Sequence, residues 1–423
     1  QVSLDPSNNL VITDVASGGK NDSIRIFSDT GNSRFVITDP GAAFSTSVGS
    51  LADANTVHVP FTSVLGPKII VEAGGGSDTL TVDYGMGAFS KDIDYRGGAG
   101  ASDVLELDGG TTFASVDHVF TNQNEGWVDV FGNSRVSYTG LEPITDNLVA
   151  DSRIFTFNAS ANQVSLTSDA ALGFNVISSA ASSETVTFPN TTSQLAIWTG
   201  DGNDTVTVHG VDEGLSGELR IEGQGGADTI NISMTPISIG YLTLIAENLE
   251  LGNGSITTSH TQTYTGVVTL MGDMDLNSGQ DIVFGGPIDG DTAETRRLTL
   301  DCVGSTFMTH GVGTLNALSA LITTAAGSIH LSGFITTSGS QLYNNAVVLA
   351  TGPMGSTTAM TADLCAFNST VNGTAPNAQS LTISSYPATF GGIIFGNGIG
   401  DDHVGGIDPL ADLTTDSDGL VAF

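Results

Sequence analysis

Four glycine-rich segments in the first 232 residues each lead into an aspartate that is followed by a short strand-like run. They span 71–82, 95–107, 197–208 and 221–232, and their aspartates are Asp78, Asp103, Asp204 and Asp228. Asp78 and Asp103 are 25 residues apart, Asp204 and Asp228 are 24 apart, and the two pairs are offset by 126 residues. A repeat of roughly 20 to 50 residues is typical of chains whose coils stack on one another. The spacing therefore predicts stacked coils.

Alternation of apolar and polar residues recurs along the chain, and helical periodicity is almost absent. Runs such as 23–27, 34–38, 185–188 and 242–245 alternate with a period of two and are bounded by Gly, Asn, Asp or Pro. This is the pattern of β-strands joined by turns. We therefore predict an all-β fold with parallel β-solenoid (β-helix) regions, with room for small β-sandwich-like parts, arranged as tandem domains.

Differences in motif content and strand pattern divide the chain into three predicted domains. Residues 1–147 hold the first Gly-Asp motif pair and end where Pro and Asn interrupt the pattern. Residues 148–245 begin again with strands and hold the second pair, an order of parts that suggests duplication. Residues 246–423 contain recurring short apolar strands without the motif and end in an acidic segment. We expect the third domain to be a β-strand-repeat solenoid.

The charge balance excludes one class of partner. The chain has 45 acidic and 11 basic residues, which gives a net charge of −34. Nucleic-acid binding needs clustered Lys and Arg, so we expect no nucleic-acid partner.

No apolar run has transmembrane length, so we expect no membrane insertion. No export signal is visible either, and we expect Gln1 to open a mature or excised segment.

Two sets of motifs resemble known families. The Gly-Gly-x-Gly-x-Asp-x-apolar elements resemble single copies of the repeats-in-toxin calcium nonapeptide. The segments 266–270 and 279–288 resemble the β-strand repeats of filamentous-haemagglutinin-like bacterial surface proteins. These resemblances imply a secreted parallel β-solenoid, located outside the cell or at its surface, that serves adhesion, a surface layer or a fibre.

The aspartates of the motifs are candidate calcium ligands. If 24 or 25 residues form one coil, Asp78 lies about 4.8 Å from Asp103, and Asp204 lies as close to Asp228. Two carboxylates that close repel each other unless a proton or a cation lies between them. Calcium takes six to eight oxygen ligands, and Asp201 would add one beside Asp204. We therefore predict calcium as a cofactor at these five aspartates.

A second interpretation of the same aspartates needs no metal. Aspartate before a strand commonly accepts hydrogen bonds from its own backbone in an Asx-turn. The repeats-in-toxin pattern also uses consecutive nonapeptides, whereas this chain has isolated copies. Turn chemistry and calcium binding are both consistent with the residues.

The last third of the chain carries two further features. Cys302 and Cys365 are the only cysteines, and they form one disulfide or remain as two buried thiols. An acidic segment near the C-terminus is interpreted as a solvated terminal strand or linker, or as a second calcium-binding or subunit-joining element. Its acidic residues and histidine are Asp401, Asp402, His403, Asp408, Asp412, Asp416 and Asp418.

No catalytic signature accompanies these features. The sequence has no Gly-x-Ser-x-Gly, His-Glu-x-x-His or phosphate-binding loop, and its seven histidines are scattered. We predict that the chain is not an enzyme but a structural subunit of a bacterial extracellular fibre or surface layer. It would self-assemble through β-edges or solenoid ends, with calcium as a stabilising ion. The alternatives are a monomeric adhesin or glycan-binding module of a larger surface protein, and then a β-helix polysaccharide lyase.

Overall fold

The computed structural model describes residues 1–15, 19–100, 102–233, 236–353, 355–385, 392–396 and 410–422. These residues form 42 strands and one 3-10 turn at Phe61–Ser63, so the all-β prediction is confirmed. Within the described ranges, no helix has the length and apolar character needed to cross a bilayer. The chain forms two compact units, unit 1 (1–206 and 214–217) and unit 2 (207–213 and 218–423). The three domains inferred from sequence texture stay a prediction.

Unit 1 contains the first nineteen strands and shares the twentieth with unit 2. The strands are β1 (Val2–Leu4), β2 (Leu10–Thr13), β3 (Ser23–Asp29), β4 (Arg34–Thr38), β5 (Ser50–Asp53), β6 (Thr56–Pro60), β7 (Lys68–Glu72), β8 (Thr79–Asp83), β9 (Asp92–Arg96), β10 (Val104–Asp108), β11 (Phe113–Asn122), β12 (Glu125–Val130), β13 (Val136–Thr139), β14 (Ile144–Asp146), β15 (Ala150–Thr156), β16 (Gln163–Ser168), β17 (Phe174–Ser179), β18 (Ser183–Pro189), β19 (Gln194–Trp198) and β20 (Thr205–Val208).

Two series of paired strands run through unit 1. The first series is β1, β2, β7, β9, β13, β12, β11, β15 and β19. The second is β5, β6, β4, β3, β8, β10, β14, β18, β17 and β16. Strands of successive coils pair in parallel, as in a solenoid. The antiparallel pairs come from hairpins that lengthen individual coils, such as β11–β12–β13 and β16–β17–β18.

The interior of unit 1 is largely apolar, and it contains a buried ionic cluster. Arg153, Asp146 and His118 are each 0% exposed. Arg153 Nε donates to Asp146 Oδ2 at 2.9 Å, and His118 Nε2 lies 2.9 Å from the same oxygen. The remaining Arg153 nitrogens donate to the carbonyl oxygens of Leu148 and Pro189 at 2.8 and 2.9 Å. Burial alone would raise the pKa of Asp146, but the charges of Arg153 and His118 outweigh it and lower that pKa.

We predict that the substitution Arg153→Met strongly destabilises unit 1. It leaves the Asp146 carboxylate buried without its main counter-charge, which typically costs about 3 to 5 kcal/mol. The matched control is Arg135→Met, because the Arg135–Asp129 pair is 45% and 40% exposed and such pairs contribute about 0 to 1 kcal/mol. Thermal unfolding followed by circular dichroism measures the difference. Equal melting temperatures for the two variants would contradict the structural role of the cluster.

Unit 2 contains the remaining strands. They are β21 (Glu218–Glu222), β22 (Thr229–Ile232), β23 (Ile237–Ile239), β24 (Tyr241–Leu251), β25 (Gly254–Thr258), β26 (Gln262–Leu270), β27 (Met274–Ser278), β28 (Ile282–Phe284), β29 (Ile288–Gly290), β30 (Arg297–Cys302), β31 (Thr306–Met308), β32 (Leu318–Ala325), β33 (Ile329–Leu331), β34 (Gly333–Tyr343), β35 (Val347–Leu349), β36 (Thr357–Ala362), β37 (Leu364–Phe367), β38 (Val371–Gly373), β39 (Ser380–Ser385), β40 (Gly392–Phe395), β41 (Asp412–Ser417) and β42 (Leu420–Ala422).

Unit 2 is a parallel solenoid with three series of strands, which confirms the parallel-solenoid prediction. One series runs β21, β24, β26, β28, β31, β33, β35 and β38. Another runs β23, β25, β27, β30, β32, β34, β37, β40 and β42. The third contains β22, β24, β26 and β29, continues through Val312, and ends in β34, β36, β39 and β41. Along the first series, successive partners from Leu242 to Val371 lie 18 to 24 residues apart.

The core of unit 2 is built from columns of like residues. Tyr343, Phe367 and Phe395 stack with centroid distances of 5.0 and 5.2 Å. Parallel in-register strands bring equivalent side chains to about 4.8 Å from one another, so rings on successive coils stack face to face. Cys302 and Cys365 are both free and buried in this core. The interpretation as two buried thiols is therefore the one that the structure supports.

Candidate functional site

A column of five acidic residues runs along the second series of unit 1, and we call it the acidic ladder. Its members are Asp22, Asp78, Asp103, Glu142 and Glu184. They occupy equivalent positions because β3, β8, β10, β14 and β18 pair in parallel and in register; the first four residues lie just before their strands and Glu184 lies near the start of β18. Adjacent members are therefore one coil apart, at about the 4.8 Å spacing of neighbouring strands.

From Asp22 to Asp103, the ladder is linked by hydrogen bonds between carboxylates and backbone amides of neighbouring coils. The Asp22 N–H donates to Asp78 Oδ1 at 2.7 Å, and the Asp78 N–H donates to Asp103 Oδ1 at 2.9 Å. Asp78 and Asp103 are only 2% and 4% exposed. The structure thus places Asp78 and Asp103, the first pair of candidate calcium ligands, on neighbouring coils. One oxygen of each carboxylate accepts from the preceding coil, rather than from its own turn.

The glycines before Asp103 allow the coils to approach this closely. A Cβ at Gly98 would overlap the carbonyl oxygen of Gly74, and a Cβ at Gly100 would overlap the carbonyl oxygen of Gly76. Gly98 also has φ of +97°, which disfavours any side chain. The glycine-rich motif is therefore required by backbone packing between coils, whether or not a metal binds.

We predict that Gly100→Ala destabilises unit 1 by about 1 to 3 kcal/mol, because the methyl group must push apart two packed backbones. Gly31→Ala is the matched control, since its Cβ would meet only the Asp29 carboxylate at 3.6 Å. Urea unfolding of both variants measures the two effects. A Gly100→Ala protein as stable as Gly31→Ala would show that the coils can separate there without penalty.

Burial raises the pKa of several ladder carboxylates. The pKa of Asp78 rises to about 6, chiefly through desolvation and then through the charges of Asp103, Asp22 and Asp14, which outweigh its backbone hydrogen bond. Desolvation also raises the pKa values of Asp22 and Asp103. The pKa of Glu184 rises to about 8 because of desolvation and the nearby charge of Glu142. In the ladder, the surroundings of these four carboxyl groups therefore disfavour their ionised forms.

We predict that Asp78→Asn stabilises the calcium-free protein at pH 8. A pKa of about 6 against 3.8 for the ordinary group means that the folded state binds this proton more tightly than the unfolded chain. The stability contributed by Asp78 is therefore complete below pH 3.8 and is lost as pH rises through 6, a change of about 3 kcal/mol. The amide oxygen of asparagine still accepts from the Asp22 N–H and carries no charge.

Urea unfolding in EGTA at pH 4 and pH 8 tests this effect, with the exposed Asp53→Asn as control. Asp78→Asn should lose much of the stability difference between the two pH values, and Asp53→Asn should keep it. A variant that is less stable than the wild type at pH 8 would show that the Asp78 charge is compensated in the native protein.

The second motif pair is divided between the two units. In unit 1 the Asn162 N–H donates to Asp204 Oδ1 at 2.6 Å, and the Asn162 Nδ2 donates to the same oxygen at 3.0 Å. In unit 2 the Asp228 N–H donates to Glu247 Oε2 at 2.9 Å. Asp204 and Asp228 are buried and Asp201 is exposed. The proximity of Asp204 to Asp228, and a shared ligand role with Asp201, stay predictions.

Calcium at the motif aspartates also stays a prediction. Among the residues that the structure describes, no three or more His, Cys, Asp or Glu side chains converge in a way that could hold a metal ion. The hydrogen bonds above show what the motif does in any case, which is to link adjacent coils.

In the acidic segment, Asp401, Asp402, His403 and Asp408 lie outside the described residues, whereas Asp412 and Asp416 belong to β41.

All eleven basic side chains are engaged with other groups of the protein. Ten of them form ion pairs with carboxylates within 4.0 Å. The eleventh, Lys91, donates to the carbonyl oxygen of Gly66 at 2.8 Å. Arg153 is fully buried in the ionic cluster of unit 1. These cations neutralise the protein's own acids.

Comparison with protein-family profiles, with curated proteins and with solved structures found no match to this chain.

Proposed function

We propose that this chain is a structural subunit of a bacterial extracellular fibre or surface layer that assembles by addition of β-strands at an open solenoid edge. The observation that carries the proposal is the pairing of β41 and β42. β41 pairs with β39, and β42 pairs with β40, both in parallel. The opposite edge of each has no strand partner among the described residues.

The chemistry of this edge favours strand addition. An exposed edge normally carries lysine, proline or a bulge that prevents pairing with another chain. β41 and β42 contain neither lysine nor proline, and Leu420 is 64% exposed. Another strand placed there would form the same parallel ladder that joins the coils inside unit 2, with backbone hydrogen bonds supplying much of the affinity. The occupant that we propose is a second copy of this chain.

The charge of the edge would make assembly dependent on cations. Asp412 and Asp416 lie on β41, and Asp418 follows it. Parallel stacking of identical strands would place like charges near one another, which is unfavourable without screening or a bridging ion. We therefore expect calcium to promote assembly.

The Lys and Arg side chains already have partners within the protein, which disfavours the lyase alternative. A lyase acting on acidic polysaccharides needs a cation beside the catalytic carboxylates to hold the substrate's acid group. Every Lys and Arg in this chain already contacts an acid or carbonyl of the protein, so such a substrate would have to displace an internal partner. A structural role makes no such demand.

Electron microscopy and light scattering of purified protein, in EGTA and in millimolar calcium, test the proposal. We expect regular filaments or sheets that calcium promotes and that Leu420→Lys abolishes, because a buried lysine at the new interface is unfavourable. Leu315→Lys is the matched control, since Leu315 is 84% exposed and lies away from the edge. Protein that remains monomeric at high concentration with calcium would contradict the proposal. A monomer that binds a glycan array would favour the adhesin alternative.

A further inference from the structure

A surface cavity in unit 1 lies at the Glu184 end of the acidic ladder. Its volume is about 460 Å³. Its lining combines carboxylates with serine hydroxyls, and we call it the Ser–Glu cavity. Glu142, Glu184, Ser179 and Ser183 are among the residues that line it.

The geometry of two strand pairs places these four residues together. β14 and β18 pair in parallel, with Ile144 opposite Val186, so Glu142 and Glu184 are neighbours one strand apart. β17 and β18 pair antiparallel, with Ser179 opposite Ser183. The glutamates therefore meet the serines at the turn that joins β17 to β18.

Three oxygens of the residues that line this cavity are buried and have no hydrogen-bond partner. They are Ser179 Oγ, Ser183 Oγ and Glu184 Oε1. Their residues are only 3%, 4% and 4% exposed. Buried polar atoms are nearly always hydrogen-bonded or bound to an ion or water, because an unsatisfied group is costly. Three such atoms around one cavity point to a bound water or ion that the hydroxyl and carboxylate oxygens would contact.

The charge of the cavity favours a cation over a neutral or anionic ligand. Glu142 is exposed at the mouth, where its Oε1 accepts from Asn124 Nδ2 at 3.2 Å, and Glu184 is buried. No Lys, Arg or His lines the cavity. Two carboxylates a strand apart without a counter-charge repel each other, and the buried one loses its hydration as well. A cation between them would relieve both penalties.

We propose that the Ser–Glu cavity binds one calcium ion. Calcium accepts irregular sets of carboxylate, hydroxyl and water oxygens, whereas magnesium needs near-ideal octahedral geometry and retains its water. The two carboxylates balance the charge of a divalent ion, and the open mouth admits the water needed to complete the shell. This site differs from the Gly-Asp turns, and it requires no self-assembly, so it goes beyond the proposed function.

Isothermal titration of calcium chloride into EGTA-stripped monomeric protein at pH 8 tests the site. Glu184→Gln should weaken binding at this site by about 100-fold and Glu142→Gln by about 10-fold, because each removes a charged ligand. Glu125→Gln is the matched control, since Glu125 is exposed in the same unit and does not line the cavity. Asp78→Asn should also leave the binding unchanged. Calcium should raise the melting temperature of the wild type but not of Glu184→Gln.

Circular dichroism of each variant establishes that it is folded. If Glu184→Gln fails to fold, Ser183→Ala provides the second test and should weaken binding several-fold. A wild type without calcium binding at pH 8 would overturn the proposal and leave Glu184 with a proton or ordered water only. Unchanged binding in Glu184→Gln would also overturn it, and loss of binding in Asp78→Asn alone would assign calcium to the turns instead.

Discussion

The spacing between neighbouring parallel strands is the constraint on which the rest of this structure depends. In a solenoid, about 4.8 Å separates a residue from its counterpart on the next coil, so each position must tolerate a copy of itself or a near equivalent. Apolar and aromatic residues meet this demand well, and Tyr343, Phe367 and Phe395 stack with little change in ring orientation. Where the backbones of neighbouring coils come into close contact, only glycine leaves enough space, as at Gly98 and Gly100. Carboxylates meet it poorly, and the chain handles them in distinct ways.

One way is full neutralisation. In the ionic cluster of unit 1, Asp146 has Arg153 and His118 as partners, and its second oxygen accepts from the Leu148 N–H at 2.9 Å. The pKa of Asp146 is lowered, so burial is more than compensated. In the other way, the carboxylate is stabilised only in part, by a hydrogen bond without a counter-charge. Asp78 gains one backbone hydrogen bond but no positive partner, and its pKa is raised to about 6. Unit 1 therefore contains one carboxylate that stabilises the fold by being charged and another whose charge opposes it.

The sequence predicts the fold class well because strand alternation and glycine-rich turns are local signals. It predicts the Asp78–Asp103 contact because a single uninterrupted coil separates them. It does not predict that Asp22, Glu142 and Glu184 extend the same column. The hairpins β4–β6, β11–β12 and β16–β17 lengthen the intervening coils, so the spacing is no longer constant and only strand register reveals the equivalence. The Ser–Glu cavity is hidden for the same reason, since Ser179 reaches Glu142 only through an antiparallel hairpin inserted between parallel coils.

Charge links the stability of the coils to the proposed assembly. The chain has 45 acidic residues and only 11 basic ones, and every base already has a partner within the molecule. The surplus acids cannot be neutralised internally, so they repel one another along the acidic ladder and would repel an identical molecule placed on β41. Such repulsion substitutes for the lysine or proline that usually protects an edge strand. It differs from those devices in being reversible, because a divalent cation removes it without any change in the backbone. Under the proposed function, molecules of this chain would remain separate where calcium is scarce and assemble where calcium is plentiful.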